Sequence, residues 1–128
     1  MKDILLVGLG GFIGSAARYA VGGLFLHATA PGKFPFGTFA VNVIGCLVAG
    51  VLAGLVVKQG VLEPETRLFL FAGLLGGFTT FSAFGLDTVL LLRRGDYAMA
   101  ATYAGASVLV GIMAVWLGFR LGSLPRMA

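Results

Sequence analysis

Residues 73–84 read GLLGGFTTFSAF and say more about the architecture than any other segment of the chain. It lies inside an apolar run that is long enough to cross a bilayer. Its two adjacent glycines, two β-branched threonines and one serine nevertheless weaken helical propensity where a plain lipid-spanning helix would use leucine. In hydrocarbon, freed backbone groups are tolerated only where they are buried in protein or line a polar cavity. We therefore expect a third helix broken mid-membrane, whose ends present N–H or carbonyl groups to an ion.

The composition of the whole chain is that of a membrane protein. Of its 128 residues, 59% are hydrophobic and only 11% are charged, and the mean hydropathy is +1.01. A soluble domain carries about 25% charged residues, so that class is excluded. Four apolar runs are each near or above the ~20 residues that span the hydrocarbon core as a helix. They lie at roughly Ile4–Leu26, Gly37–Val57, Leu68–Leu92 and Ala98–Leu121. The sequence predicts one domain, residues 1–128, of an all-α integral membrane protein with four transmembrane helices.

Basic residues are divided almost evenly between the two ends of this predicted bundle. Four spans place both termini on one side, which then holds five basic residues against four on the other. The five are Lys2, Lys58, Arg67, Arg120 and Arg126, and the four are Arg18, Lys33, Arg93 and Arg94. So small a bias predicts a dual-topology chain that assembles as an antiparallel homodimer. The net charge of +4 is better explained by contacts with lipid headgroups than by nucleic-acid binding, because the basic residues lie singly or paired at helix ends.

Small residues at helical spacing favour close association of helices. Gly10 and Gly14 in the first run, and Gly50 and Gly54 in the second, have GxxxG spacing. Such positions let backbones approach each other where no hydrophobic force drives helix pairing. Four short helices do not readily enclose a hydrated conduit, so we expect any pore to lie between subunits.

Asn42 and Thr38 are polar residues in the second run, one helical turn apart on one face. The Asn42 amide carries two N–H donors, which can replace water around an anion as a carboxylate cannot. The competing interpretation is a hydrogen bond to a neighbouring helix, which contributes roughly 0.6–2 kcal/mol. The residue alone does not decide between the two.

Phe81 and Phe84 follow the predicted break and share a face if the helix resumes there, beside Thr80 and Ser82. A phenyl ring has a negative face and a positive edge, so ring edges turned toward a conduit coordinate a small anion. The alternative is plain packing, because the chain has eleven phenylalanines.

Charged groups inside the spans are few, and each calls for an explanation. Asp87 is the one acid there, and Arg18 is the one base well inside a span. Arg18 either extends to the interface or forms an electropositive vestibule that concentrates anions. The sequence offers no metal-ligand cluster and no nucleophile–base–orienter set, which argues against an enzyme. The alternative function is a small multidrug-type proton-coupled cation exporter, but that class needs a membrane-embedded acid, usually on the first helix, where this chain has none.

Three motifs together resemble the Fluc (CrcB) family of fluoride channels, and the likeness extends over essentially the whole chain. They are GxxxGxxxRY at residues 10–19, FGTFAVN at 36–42 and GxxGGFTTFSxF at 73–84. The resemblance implies an antiparallel, dual-topology homodimer with two fluoride pathways along the subunit interface. It further implies passive export of cytoplasmic fluoride across the plasma (inner) membrane of a bacterium or archaeon, because HF crosses membranes and dissociates inside.

The resemblance also assigns roles to particular side chains. Asn42 is expected to help coordinate fluoride, and the ring edges of Phe81 and Phe84 to line its route. Hydroxyls near the pathway are expected from Thr38, Thr80, Ser82 and Tyr103. The Tyr103 hydroxyl is further expected to orient Asn42.

A cofactor is implied as well. Backbone carbonyls of Gly76 and Thr79 from both subunits are expected to hold a central structural sodium ion, which agrees with the preference of hard cations for oxygen ligands. Three positions depart from the family pattern: Ala83 where threonine is frequent, Asp87 where glutamate is common, and Gly111 where some relatives have serine. They bear on the detailed route and the conduction rate more than on the identity of the ion.

Overall fold

The computed structural model describes residues 1–25, 34–60 and 62–124, and all regular structure in these ranges is helical. The elements are α1 (Lys2–Leu24), α2 (Phe36–Gln59), α3 (Pro64–Arg67), the π-helix π1 (Leu68–Leu75), α4 (Gly76–Phe78), α5 (Phe81–Arg93) and α6 (Tyr97–Gly122). The elements from α3 to α5 follow one another closely and form the third span, residues 64–93. Lys33 and Arg126, which entered the count of basic residues, lie outside the described residues.

Four helices in the described residues are long and apolar enough to cross a membrane. They are Lys2–Leu24, Phe36–Lys58, Pro64–Arg93 and Tyr97–Gly122. The prediction of an all-α protein with four long apolar helices is therefore confirmed. The third span begins at Pro64 rather than Leu68, because proline suits the first position of a helix while the polar turn Pro64–Arg67 gives no hydropathy signal.

The third span changes its backbone conformation between Phe78 and Phe81. Thr79 (φ −81°, ψ 157°) and Thr80 (φ −149°, ψ 112°) are extended between α4 and α5. Their branched side chains suit extended backbone better than helix. Thr80 then caps α5, because its Oγ1 accepts a hydrogen bond from the Ala83 N–H at 3.2 Å. Two residues thus separate two helical segments that lie in one apolar span.

The GxxxG glycines bring two pairs of spans together within the single chain. A Cβ on Gly14 would lie 2.8 Å from the Phe78 backbone nitrogen, so α1 packs directly on the third span. A Cβ on Gly50 would lie 2.9 Å from the Phe119 backbone nitrogen, so α2 packs as closely on α6. Because both faces are occupied inside the chain, a second copy would have to meet other surfaces.

Contacts between the ends of the helices confirm the alternation of the four spans. Lys2 Nζ lies 2.7 Å from Glu65 Oε1, which joins the start of α1 to the start of the third span. Arg67 shares a groove with Val57 near the end of α2. The end of α2 in turn meets the end of α6, where a Cβ on Gly54 would collide with the backbone of α6. Lys2, Lys58, Arg67 and Arg120 therefore lie at one end of the bundle.

The small core of the chain is aromatic. Tyr103 is fully buried, and Phe34, Phe39 and Phe84 pack around it. Many large apolar side chains point outward instead, and Phe81 is 84% exposed. Such a surface suits lipid or another protein subunit rather than water.

Candidate functional site

The Asn42 side chain binds the backbone where the third span is extended. Its Oδ1 accepts a hydrogen bond from the Thr80 N–H at 2.8 Å, and its Nδ2 donates to the Thr80 carbonyl at 3.1 Å. These partners fix the orientation of the amide, because a backbone N–H only donates and a carbonyl only accepts. The amide has two N–H groups, so one remains after Thr80 is satisfied. Asn42 therefore holds the extended segment and still keeps one donor for another group.

Two carbonyl oxygens beside this pair lack the partner that a continuous helix would give them. The Thr80 N–H, which would bond the Gly76 carbonyl, donates to Asn42 instead. The Ala83 N–H, which would bond the Thr79 carbonyl, donates to the Thr80 hydroxyl. Among the hydrogen bonds of the described residues outside the regular helices, no other one reaches either oxygen. Free carbonyl oxygens are the ligands that hard cations prefer, so the residues present fit a sodium ion.

Gly45 allows α2 to approach the extended segment closely, a role that is hard to recognise in the sequence. A Cβ there would collide with Thr79 Cγ2 and would lie 3.3 Å from Phe78 Cδ1. Thr79 has little freedom to move away, because its N–H and its hydroxyl both donate to the Leu75 carbonyl at 2.9 Å. The available signal was the N-x-x-G spacing, which places Gly45 one turn after Asn42 on the same helix face.

The rings near the start of α5 form a row that runs from the surface to the core. The ring centroids of Phe81 and Phe84 are 5.5 Å apart, with an interplanar angle of 38°. Phe84 in turn lies 5.3 Å from the buried ring of Tyr103. The hydroxyls of Thr80 and Ser82 lie 3.2 Å from each other beside this row. The structure thus brings these five predicted residues into one neighbourhood.

The Tyr103 hydroxyl does not hydrogen-bond Asn42, and that expectation is wrong. It donates to Asp87 Oδ2 at 3.3 Å, and Thr38 lies close to the same hydroxyl. The reason is the packing of the helices: Asp87 on α5 faces α6 and lies within hydrogen-bond distance of the Tyr103 hydroxyl, whereas the Asn42 amide is directed at Thr80 in the extended segment. Tyr103 therefore belongs with the polar residues around Asp87.

Two grooves on the surface of the chain share Thr80. The aromatic groove has a volume of about 380 Å³, and its lining includes Asn42, Cys46, Thr79, Thr80, Phe81, Phe84 and Ser107. The charged groove has a volume of about 320 Å³, and its lining includes Arg18, Thr38, Thr80, Ala83 and Asp87. Most of the predicted site side chains therefore line one of two neighbouring grooves, and Thr80 stands between them.

The charged groove contains one base and one acid. Arg18 and Asp87 are both partly buried in it, and they form no ion pair with each other or with another described residue. The groove therefore holds one basic and one acidic side chain, and Arg18, which has no paired acid among the described residues, is the group in it that can attract an anion. No group of three or more His, Cys, Asp or Glu side chains occurs in the part of the chain that the structure describes.

Ser107 is a second residue whose position sequence alone did not make clear. It lies on α6, one turn beyond Tyr103, and lines the aromatic groove. Its Oγ is buried and finds no hydrogen-bond partner among the described residues. A buried hydroxyl in that state is a donor available to whatever occupies the groove.

Comparison with known proteins gives a consistent result. The chain matches the family described as "CrcB-like protein, Camphor Resistance (CrcB)" over residues 5–119. A protein of Methylobacillus flagellatus is 52% identical over 128 residues, which is 100% of both chains. Relatives from Nitratidesulfovibrio vulgaris (44% identical, 97% of this chain and 99% of the relative) and Rhizobium etli (48% identical, 94% and 96%) are similar over nearly their full length. Each of the three is named "Fluoride-specific ion channel FluC".

Proposed function

The chain belongs to the CrcB family of fluoride-specific ion channels, and from that premise we propose that it exports cytoplasmic fluoride passively and selectively. The family consists of channels rather than enzymes, and the four long apolar helices make this chain a multi-pass membrane protein. Its place is the inner membrane of a bacterium or archaeon, where HF enters, dissociates and leaves an anion that needs an exit. The proton-coupled cation exporter is not favoured, because full-length relatives are named as fluoride channels.

The observation that carries this proposal is the bond between Asn42 and Thr80. Fluoride is small and strongly hydrated, so its passage needs donors that replace water one after another. The Asn42 amide keeps one free N–H at the point where the two grooves share Thr80. Arg18 draws anions into the charged groove. The hydroxyls of Thr80 and Ser82 and the edges of the Phe81 and Phe84 rings then take over from water.

Around the charged groove, Thr38 and Tyr103 complete the proposed polar lining. The Tyr103 hydroxyl holds Asp87, whose carboxylate would otherwise face an incoming anion with both oxygens free. Conduction also requires that no site bind fluoride too tightly. A series of single N–H, O–H and ring-edge contacts meets that requirement, because none of them alone is strong.

A second copy of the chain completes the conduit in this proposal. The two copies run antiparallel, and the extended segment at Thr79–Thr80 lies mid-membrane in each. The extended backbone at Thr79–Thr80 beside the open aromatic groove supports this arrangement, because irregular backbone at membrane depth has to be buried in protein or line a water-filled cavity. The glycine pairs do not compete for the partner, since they are used inside the chain.

A structural sodium ion fits the centre of such a dimer. The carbonyl oxygens of Gly76 and Thr79 would hold it together with the same atoms of the second copy, and Gly76 is exposed on the surface of the chain. When bound, the ion supplies positive charge that neutralises converging carbonyl dipoles. The chain's own contribution is to keep these oxygens unpaired, through the Asn42 amide and the Thr80 hydroxyl.

Anion efflux tests the proposed function. The purified protein is reconstituted in liposomes loaded with fluoride or with chloride, and the release of each anion is recorded after the membrane potential is clamped. We expect rapid fluoride release with chloride release at the level of protein-free liposomes. Equal release of both anions, or no fluoride release from protein verified as folded, would overturn the proposal.

Labelling tests the antiparallel assembly separately. A single cysteine is added after Ala128 in a Cys46→Ser chain and treated in cells with a membrane-impermeant thiol reagent. We expect about half of the termini to be labelled from outside and the rest only after lysis. Termini that all lie on one side of the membrane would rule out dual topology.

A further inference from the structure

Arg67 lies at the start of the third span between two shallow apolar grooves. One groove, of about 360 Å³, is lined by Pro64, Leu68, Phe71 and Ala72 together with Arg67. The other, of about 230 Å³, is lined by Ala53, Val56, Val57 and Phe71, again together with Arg67. Arg67 and Phe71 are one helical turn apart and form a ridge between the grooves. Neither groove is lined by a residue assigned to fluoride.

The charge of Arg67 is available for a ligand. Its side chain is exposed and forms no ion pair with a described residue. The nearby carboxylate of Glu65 is occupied by Lys2 at 2.7 Å. Lys58, in the last turn of α2, adds a second exposed base at the same end of the bundle, while the exposed Glu63 partly offsets the two. With Arg120 and Asp3 included, four basic residues face three acidic ones at this end of the bundle, so the balance is slightly positive.

We propose that Arg67 binds the phosphate of an anionic glycerophospholipid whose two acyl chains lie in the grooves on either side of the Arg67–Phe71 ridge. The planar guanidinium donates to phosphate oxygens in pairs, which an ammonium group does not do. Arg67 is in the first turn of a span, the depth at which headgroups lie, and basic sites at the ends of such helices bind anionic headgroups. Two apolar grooves separated by one ridge match the two chains of a single diacyl lipid.

Native mass spectrometry of the purified full-length protein tests this site. The wild type is titrated in mild detergent with phosphatidylglycerol and, separately, with phosphatidylcholine of the same acyl chains. The variants are Arg67→Gln, which removes the charge, and Arg67→Lys, which keeps the charge but removes the paired donors. Arg93→Gln is the matched control, because it removes the same charge at the other end of the third span. Size-exclusion profiles and thermal unfolding show that each variant is folded.

We expect the wild type to bind phosphatidylglycerol more tightly than phosphatidylcholine. Arg67→Gln should weaken phosphatidylglycerol binding about fivefold, the contribution typical of one basic group at a membrane surface. The phosphatidylglycerol affinity of Arg67→Lys should lie between those of the wild type and Arg67→Gln, and Arg93→Gln should bind like the wild type. An Arg67→Gln protein that binds as the wild type does would overturn the proposal. Equal losses in Arg67→Gln and Arg93→Gln, or equal binding of both lipids by the wild type, would do the same.

Discussion

The aromatic groove and the charged groove share Thr80, but their other lining residues are different. The aromatic groove offers two phenyl rings, a thiol and the unpaired hydroxyl of Ser107. The charged groove offers a guanidinium, a carboxylate and the Thr38 hydroxyl. A hydrated anion is attracted by the Arg18 charge in the charged groove. Ring edges, by contrast, stabilise an anion only after it has lost its water. In the proposed channel, capture and dehydration of the ion would therefore take place in different grooves, with Asn42 and Thr80 at the junction.

The largest effect on this arrangement is expected from Asn42→Asp. A carboxylate still accepts from the Thr80 N–H, but it repels the Thr80 carbonyl and has no N–H left for an anion. We expect fluoride efflux to fall more than about tenfold, because an unsatisfied buried polar group alone costs about 1–3 kcal/mol. The control is Thr88→Ala, since Thr88 donates only to Phe84 within its own helix and lines neither groove. If a folded Asn42→Asp protein releases fluoride at the wild-type rate, Asn42 and Thr80 do not lie on the fluoride pathway.

A slightly smaller effect is expected from Gly45→Ala, which should displace the extended segment at Thr79–Thr80 but leaves the polar groups of Asn42 and Thr80 unchanged. The added Cβ collides with Thr79, and overpacking of this kind costs about 1–3 kcal/mol. We expect a lower midpoint of thermal unfolding together with slower fluoride efflux. Gly105→Ala is the matched control, because a Cβ there meets nothing within 4 Å. If both variants behave alike, the close contact of α2 with Thr79 is not what positions the extended segment.

The aromatic groove is probed by Phe84→Leu, for which we expect an intermediate effect. Leucine fills much of the space but has no positive ring edge, and it breaks the row between Phe81 and Tyr103. Fluoride efflux should slow by roughly two- to tenfold, which corresponds to the 0.5–1.5 kcal/mol of a lost aromatic contact. Phe12→Leu, on the exposed surface of α1, should leave efflux unchanged. An equal loss in both variants would assign Phe84 to general packing.

The charged groove is probed by Arg18→Gln, which should have the smallest effect and a distinctive salt dependence. We expect fluoride efflux to drop a few-fold at low ionic strength and hardly at all in high salt, because screening shortens the reach of the Arg18 charge. Arg94→Gln, at the exposed end of α5, is the control. Efflux should be measured over a series of salt concentrations for both variants and for Phe84→Leu. If Arg18→Gln slows fluoride efflux equally at all salt concentrations, Arg18 does not act through long-range attraction, and the two grooves do not have the different roles proposed here.

The architecture could be predicted from the sequence because it depends on properties that are local in the chain. Hydropathy gave the four long apolar helices, and GxxxG spacing gave the faces on which backbones approach. The GxxxG spacing does not tell whether the partner helix belongs to the same chain or to a second copy. That question depends on which helices become neighbours, and the structure places α1 on the third span and α2 on α6.

Partners across the fold were harder to predict than the residues themselves. The amide of Asn42 is visible in the sequence, but its partner is a backbone group 38 residues away, and residue type does not reveal a backbone partner. The sequence predicts the wrong partner for Tyr103 for a related reason, because the contact with Asp87 depends on the pairing of α5 with α6. The π-helix Leu68–Leu75 had no sequence signal either, because its residues are those of an ordinary apolar helix.

If the two grooves are ends of one fluoride path, a thiol reagent that blocks either groove should slow fluoride efflux. Cys46 is the only cysteine of the chain and lines the aromatic groove, so the wild type carries one probe. Ala83→Cys in a Cys46→Ser chain carries the other, in the charged groove. We predict that a small mercurial slows fluoride efflux through both proteins and not through Cys46→Ser alone. Unchanged efflux through either protein, with its cysteine shown to be fully modified, would contradict a single path.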